Sequence, residues 1–279
     1  MEDLRAALDK HGLLVVREQD HFQPEDHIAL AQCFGDIFPL PPRFQHARAP
    51  HRDILRVSNH VEEGFTGVGT SGWHIDGVSY ETPFSFAIMR IESVSADGPT
   101  LFLPLQPLAE RLIEEKLSWQ NLAVLCGKGE QKVRHPLLFT NPRTRQPGVV
   151  LGKLGGLVWA PQAGIAAEER EAGPEELAAT LDELDGYVAC HAQRTAYRHQ
   201  WQAGDLLLVD NLAVAHLAAP ATQAPPEEGG LRVLHRVVVA GVEPLTPAAG
   251  PAKPSAAPQP SMAARGPAAD ECGTTDPSE

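Results

Sequence analysis

Apolar residues recur at helical spacing in four segments of the chain, which are separated by shorter runs of a different pattern. Three of the four begin with a proline, at Pro24, Pro107 and Pro174. Proline suits the first turn of a helix because its missing N–H would have no intrahelical partner there. The pattern predicts helices over residues 2–10, 24–34, 107–122 and 174–192.

Between these segments lie short runs rich in β-branched and aromatic residues, broken by Gly, Pro, Asn and Asp. Runs of this kind are typical of β-strands. They predict strands over residues 13–17, 53–58, 84–91, 100–105, 149–151, 205–209 and 231–239. Many short strands with scattered helices indicate an α+β fold, in which a β-barrel or jelly roll carries covering helices.

The composition changes sharply after Leu245. Residues 246–279 consist mainly of Pro, Ala, Gly and Ser, and Met262 is their only large apolar residue. Such a segment cannot bury enough apolar surface to offset the entropy that ordering would remove. We therefore predict one folded domain over residues 1–245 and a disordered Pro/Ala-rich tail over residues 246–279.

Charge and cysteine spacing narrow the classes of partner. The 279-residue chain has a formal net charge of −13, and an acidic surface repels nucleic-acid phosphates and anionic lipid. The sequence has no apolar stretch of membrane-spanning length, no secretory signal pattern and no C-x-x-C pair. We expect a cytoplasmic protein that acts on a small molecule and binds neither nucleic acid nor membrane. A homo-oligomer is compatible with the sequence.

The segment Trp73-His74-Ile75-Asp76 carries candidate metal ligands. Residues i and i+2 of a strand point to the same face, so His74 and Asp76 would project together. Another histidine, His216, follows soon after an apolar predicted strand. Two histidines and one carboxylate form the ligand set of non-haem iron(II) oxygenases. Taken alone, each motif is better explained as a surface turn or an ordinary histidine.

The predicted strand 231–239 carries two arginines, Arg232 and Arg236, on one face with Leu234 and Val238. A guanidinium does not lose its charge, so a buried one needs an anion. Its planar fork binds carboxylates through two hydrogen bonds. A dicarboxylate co-substrate would explain one arginine and an anionic substrate the other. The alternative is an edge strand whose arginines lie in water.

Together these segments resemble the taurine/2,4-dichlorophenoxyacetate dioxygenase family (TauD/TfdA-like) of iron(II)- and 2-oxoglutarate-dependent oxygenases. The resemblance runs from Leu4 to Val242 and rests on motifs that follow one another in the family's order. These motifs are Gly12-Leu-Leu-Val-Val-Arg17 with Leu30-Ala-Gln-Cys-Phe34-Gly35, Trp73-His74-Ile75-Asp76, Glu81-Thr-Pro83 with Gly98-Pro99-Thr100-Leu-Phe102, Trp201-x-x-Gly204-Asp205 with Asp210-Asn211 and His216, and Arg232-x-x-His235-Arg236.

The resemblance implies a double-stranded β-helix, that is, a jelly roll of the clavaminate synthase type with covering helices. It also implies a dioxygenase that uses iron(II), 2-oxoglutarate and dioxygen. By resemblance, His74, Asp76 and His216 bind the metal and are the catalytic residues. Thr100 and Arg232 occupy the family positions that contact 2-oxoglutarate.

The substrate is assigned less directly. Arg236 occupies the family position that grips an anionic substrate group, which favours a small anionic organic substrate. Halogenating relatives carry a small residue at the position of Asp76, so we expect oxidation by hydroxylation, with release of succinate and carbon dioxide. The gap between His216 and Arg232 is longer than in the family and predicts a flexible polar loop over residues 218–230. Either arginine therefore remains a candidate anchor for 2-oxoglutarate.

Two other functions are compatible with the same residues. The first is a metal-dependent jelly-roll enzyme that does not use 2-oxoglutarate, which would leave Arg232 without a partner. The second is a catalytically inactive module that binds a small anion, for which loss of a metal ligand would be the expected signature. No ligand of the predicted set is missing from the sequence.

Overall fold

A computed structural model describes residues 1–129, 131–160 and 168–248. Most of the predicted tail, residues 249–279, lies outside the described residues. In the described ranges, no helix combines the length and the hydrophobicity that crossing a membrane requires.

The first four helices lie where the helical spacing predicts them, with shifts at their ends. α1 ends at Gly12, whose φ of 69° lets its N–H bind the carbonyl of Leu8 at 2.7 Å. The helix predicted from residue 107 begins two residues earlier and stops at Lys116, where the backbone leaves the helical region. The helices are α1 Glu2–His11, α2 Pro24–Gln32, α3 Leu105–Glu115, α4 Pro174–Thr195 and α5 Pro226–Gly229.

The strands are short and pair antiparallel throughout the described sheets. They are β1 Leu13–Val16, β2 Leu55–Ser58, β3 Phe86–Ser93, β4 Thr100–Pro104, β5 Leu122–Lys128, β6 Gln131–Pro136, β7 Leu138–Thr140, β8 Pro147–Val149, β9 Leu154–Trp159, β10 Arg170–Glu171, β11 Tyr197–His199, β12 Leu206–Asp210, β13 Val214–Ala218, β14 Val233–Val239 and β15 Thr246–Pro247.

Two sheets carry the site. One has five strands in the order β1-β12-β3-β14-β2, and the other has three in the order β11-β4-β13. Their facing side chains form one hydrophobic core, in which Met89 and Leu234 of the larger sheet lie with Phe102 and Val214 of the smaller. Burying a side chain of this size contributes about 1.5–3 kcal/mol.

Each sheet is covered on its other face. Leu8 of α1 and Ala31 of α2 belong to the outer core of the five-stranded sheet. Leu108 of α3 and Val188 of α4 belong to the core behind the three-stranded sheet, which also holds Ala215 of β13. Because neighbouring strand residues alternate, this arrangement directs His216 into the space between the two sheets.

Several strands that the sequence pattern did not predict are present, among them β5, β6, β9 and β13. β13 reads Val-Ala-His-Leu-Ala and has few β-branched residues, so its pairing with β4 comes from tertiary context rather than propensity. The strand predicted over residues 149–151 lies at Pro147–Val149 instead.

The segment between His216 and Arg232 also differs from the flexible loop that we predicted. It contains a 3₁₀ turn over Pro220–Gln223 and the short helix α5. The Asn59 side-chain amide donates hydrogen bonds to the carbonyls of Ala224 at 2.8 Å and Gly230 at 3.0 Å. These bonds hold the segment against the residues that follow β2.

Candidate active site

His74 is joined to the three-stranded sheet by a single antiparallel bridge rather than by a strand. His74 and His216 exchange both backbone hydrogen bonds, at 3.1 Å and 2.9 Å. Asp76 lies in the turn that follows. Ile75 is only 1% exposed and packs in the core behind the sheet, so the predicted alternation between His74 and Asp76 is kept without a regular strand.

His216 lies inside β13, whereas the sequence pattern placed it just past the end of a strand. Its neighbour across the sheet is Phe102 of β4. The imidazole is 4% exposed. Burial, and then the nearby His74, lowers the pKa of His216 to about 3, so the ring is neutral near pH 7. A neutral imidazole is the form that binds a metal.

Asn211 holds the backbone of Asp76 in place. Its side-chain oxygen accepts a hydrogen bond from Asp76 N at 2.7 Å. Its amide group donates to the carbonyls of Asp76 at 2.9 Å and Phe84 at 2.7 Å. Gly77 completes the turn with a φ of 83°, and a Cβ there would lie 2.7 Å from Phe84 N. The turn thus depends on glycine at this position.

His74, Asp76 and His216 converge on one point. One ligand atom from each lies within 4.8 Å of the other two. His74 Nε2 is 3.9 Å from Asp76 Oδ1, and His216 Nε2 is 3.7 Å from Asp76 Oδ2. Two imidazoles and one carboxylate at this spacing fit a divalent transition metal and leave further coordination positions open.

Arg236 of β14 reaches the same carboxylate. Its NH1 donates a hydrogen bond to Asp76 Oδ2 at 2.8 Å. Burial alone would raise the pKa of the Asp76 carboxyl, but the charge of Arg236, with the two histidines, lowers it from its usual value. Asp76 is therefore ionised near pH 7, as a metal ligand must be.

The predicted alternation of β14 is confirmed. Arg232, Leu234 and Arg236 line one cavity with Thr100 and His216. Their neighbours Val237 and Val239 instead pack in the outer core with α1 and α2. The structure thus brings every predicted site residue to the space between the two sheets.

Arg232 is a buried cation without an anion. It is 3% exposed, and its Nε has no hydrogen-bond partner in the described structure. Burial lowers the pKa of Arg232 to about 10, yet the group remains charged near pH 7. An ionised group in such surroundings calls for a bound anion. The carboxylate of a small dicarboxylate meets that need.

A wider cleft of about 900 Å³ lies beside the residues that follow Asp76. A Cβ at Gly152 would lie 3.5 Å from Val78 of the cleft wall and 3.8 Å from His74 Cβ, so Gly152 lies between Val78 of the cleft wall and the base of the His74 side chain. Its lining includes three basic residues, one acidic residue and two aromatic residues: Arg43, Lys132, Lys153, Glu81, Phe44 and Tyr80.

Sequence reasoning left two residues of the site without a sufficient role. Asn211 was noted only as part of a motif, and its hydrogen bonds to Asp76 depend on a contact 135 positions away along the chain. Trp201 was noted only as part of a motif. Its indole N–H reaches Thr100, which no local pattern indicates.

A β fold with two histidines and one carboxylate between its sheets is the architecture of a non-haem metal oxygenase. The chain matches the family described as "Taurine catabolism dioxygenase TauD, TfdA family" over residues 1–118 and 119–238. It belongs to this family. It is a 2-oxoglutarate-dependent dioxygenase, an oxidoreductase that uses iron(II), 2-oxoglutarate and dioxygen.

Similar proteins span most of the chain. Pentalenolactone F synthase of Streptomyces arenae is 30% identical and covers 88% of each sequence. The (S)-phenoxypropionate/alpha-ketoglutarate-dioxygenase of Delftia acidovorans is 25% identical over 78% of this chain and 80% of its own. A crystal structure of a taurine dioxygenase from Burkholderia xenovorans superposes with a TM-score of 0.67, at 24% identity, over 87% of this chain and 80% of that one.

Proposed function

We propose that His74, Asp76 and His216 hold the iron(II) ion, and that Thr100 and Arg232 bind the far carboxylate of 2-oxoglutarate. The observation that carries this assignment is the convergence of three metal-ligand atoms beside a buried arginine that lacks an anion. Thr100 and Arg232 line the same cavity as His216. An arginine and a hydroxyl together match the donors that a carboxylate prefers.

When bound, the iron and its co-substrate supply the activation of dioxygen and the oxidation of a substrate C–H bond. The residues of the chain bind and orient. Neutral His74 and His216 and ionised Asp76 are the protonation states that a divalent metal needs. The apolar walls of the cavity, which include Met89 and Leu234, keep water away from the reacting centre. We propose hydroxylation as the outcome, with succinate and carbon dioxide released.

Arg236 has two roles in this proposal. It donates to Asp76 Oδ2, which keeps the carboxylate ionised and turned toward the two histidines. It also offers its remaining N–H groups to an anion that enters the cavity, so we assign it to the substrate rather than to 2-oxoglutarate. Arg232 remains the better anchor for 2-oxoglutarate, because it has no carboxylate partner of its own among the described residues.

We propose a small organic anion as the primary substrate. The cleft lined by Val78 and the residues that follow it carries Arg43, Lys132 and Lys153 on a chain whose net charge is −13. In the described ranges, none of these three forms a salt bridge, whereas nearby Arg48 and Arg56 both pair with Glu63. The name of the Delftia relative denotes an aryloxy carboxylate as its substrate, which is compatible with this cleft.

The fold proposal concerns the same two sheets. We infer that the five-stranded and three-stranded sheets form a jelly roll of the double-stranded β-helix type. The antiparallel pairing of every described strand and the placement of the site between the sheets support this.

Anaerobic addition of iron(II) and 2-oxoglutarate to the metal-free protein tests the assignment. We expect the visible metal-to-ligand charge-transfer band of the chelate in the wild-type protein and its loss in His74→Ala. Arg232→Met should keep metal binding but weaken 2-oxoglutarate binding by at least about 10-fold. A folded wild-type protein that shows no band would favour the alternatives, a metal-dependent enzyme without 2-oxoglutarate or an inactive anion-binding module.

A further inference from the structure

The Thr100 hydroxyl has an unusual partner. Trp201 Nε1 lies 3.0 Å from Thr100 Oγ1, and both residues are 4% exposed. An indole N–H can only donate, whereas a hydroxyl can donate one hydrogen bond and accept two. Thr100 Oγ1 must therefore be the acceptor in this contact.

The direction of this bond determines what Thr100 can offer to a ligand. Its own hydrogen is not used by Trp201. Within the described chain, its Oγ1 has no further hydrogen-bond partner. Since Thr100 lines the cavity with Arg232, the hydroxyl hydrogen is available to an acceptor in that cavity. A hydrogen bond from a hydroxyl to a carboxylate is stronger than one between neutral groups.

Trp201 is held in place by packing against His199. Its ring meets the ring of His199 edge-on, with centroids 4.6 Å apart at 87°. His199 Nε2 lies 3.0 Å from Asp205 Oδ2, and both side chains are fully buried. His199 is also the register partner of Thr100 across the strand pair β11–β4.

Asp205 connects the pair of His199 and Trp201 to the surface of the domain. The same Oδ2 accepts a hydrogen bond from Gln202 N at 2.8 Å. It accepts another, at 2.6 Å, from the side chain of Arg17, which directly follows β1. The Trp201-x-x-Gly204-Asp205 motif thus folds back on itself. Its aspartate lies against His199, and its tryptophan reaches Thr100 of the cavity wall.

We propose that Trp201 is a positioning residue for 2-oxoglutarate: it occupies one lone pair of Thr100 and so fixes the Thr100 hydroxyl as a donor to the co-substrate carboxylate. The proposal rests on the assignment of Thr100 to 2-oxoglutarate made above. It predicts energetic coupling between two side chains of which only one touches the ligand.

A double-mutant cycle tests the coupling. The variants are Trp201→Phe, Thr100→Val and the double variant, each titrated anaerobically with 2-oxoglutarate in the presence of iron(II). Thr100→Val should weaken 2-oxoglutarate binding by about 10-fold and Trp201→Phe by roughly 3- to 5-fold. The double variant should bind no more weakly than Thr100→Val, since Trp201 acts only through the hydroxyl.

Trp119→Phe is the matched control. Trp119 is also 4% exposed but packs in the core behind the three-stranded sheet. It should lose stability as Trp201→Phe does, with unchanged 2-oxoglutarate affinity. Equal affinities for wild type and Trp201→Phe, or effects that multiply in the double variant, would overturn the proposal.

A measurement on the wild-type chain covers the case in which Trp201→Phe does not fold. The chain has four tryptophans, so ¹⁵N-tryptophan labelling gives four indole N–H signals. With zinc(II) in place of iron, addition of 2-oxoglutarate should shift the Trp201 signal and leave the Trp119 signal in place. A stationary Trp201 signal in protein that binds 2-oxoglutarate would refute the inference. Failure of the wild-type protein to bind 2-oxoglutarate would instead refute the assignment of the site.

Discussion

At the residue scale, the two arginines of β14 stand in opposite electrostatic situations. Arg232 is buried without a carboxylate partner in the described structure, while Arg236 donates to Asp76. A buried lone charge destabilises the fold, whereas removal of one partner of a buried pair leaves the other charge uncompensated. Stability measurements without ligand should therefore separate the two arginines.

We predict that Arg232→Met stabilises the ligand-free protein by roughly 1–3 kcal/mol and that Arg236→Met destabilises it by a similar amount. Arg232→Met removes an uncompensated cation, and Arg236→Met leaves the Asp76 carboxylate without its ion-pair partner. Thermal unfolding without metal or co-substrate measures both. Shifts of the same sign would contradict the electrostatic interpretation. Added 2-oxoglutarate and zinc(II) should raise the unfolding temperature of the wild-type protein more than that of Arg232→Met.

Asn211 fixes the backbone of Asp76, whose carboxylate we propose as a metal ligand. We predict that Asn211→Ala lowers the affinity for manganese(II) by about 10- to 100-fold, the usual effect of losing a group that orients a ligand. Asn211→Asp keeps the acceptor for Asp76 N but places an oxygen against the carbonyls of Asp76 and Phe84, so it should not restore the affinity. Isothermal titration with manganese(II) gives the affinities. Wild-type affinity in Asn211→Ala would show that the turn is held by Gly77 and the bridge alone.

At the element scale, two of the predicted strands, β12 and β14, are buried along almost their whole length. Runs of apolar and β-branched residues predicted these two strands, and also the half-buried β1. β13 and the bridge at His74 were missed because they are short and are defined by pairing with each other, not by their own composition. The proposed ligand pair His74 and Asp76 follows from strand alternation, which needs only two residues.

The packing of α2 on the five-stranded sheet has a pH dependence. His27 of α2 is 1% exposed, and its Nε2 bonds to the carbonyl of Ile88 in β3 at 3.0 Å. Burial, together with His235 of β14 and Arg90 of β3, lowers the pKa of His27 to about 4, although the bond to Ile88 opposes this. Between about pH 6.5 and pH 4 the unfolded chain then binds more protons than the folded one, so the free energy of unfolding falls as the pH falls.

We predict that His27 accounts for about 3 kcal/mol of this loss between pH 6.5 and pH 4. His27→Gln keeps a donor for the Ile88 carbonyl but does not titrate, so its free energy of unfolding should fall less steeply over this range. Urea unfolding at a series of pH values tests this, with the exposed His21→Gln as control. A residual slope is expected because burial also lowers the pKa of His235, to about 3. Parallel curves for wild type and His27→Gln would contradict the assignment.

At the scale of the whole molecule, composition predicts a domain boundary after Leu245, and the described structure continues to Ala248. The predicted boundary follows Leu245, which is 7% exposed and packs in the core behind the three-stranded sheet. The chain continues into β15, whose Thr246 pairs with Thr140 of β7, and Ala248 is buried in the same core. Thr246 and Pro247 could not be assigned from sequence, because a two-residue strand has no period to detect.

Two truncations therefore should differ although their ends are only three residues apart. Removal of residues 249–279 deletes a segment whose one large apolar side chain is Met262, so we expect unchanged unfolding temperature and an unchanged chelate band. Removal of residues 246–279 also deletes β15 and the buried methyl of Ala248, which should lower stability by about 1–2 kcal/mol. The candidate active site lies between the five-stranded sheet and the β11-β4-β13 sheet, neither of which contains β15, so 2-oxoglutarate affinity should survive both cuts. If the shorter deletion abolished the chelate band, the tail would belong to the catalytic unit and the single-domain boundary would be wrong.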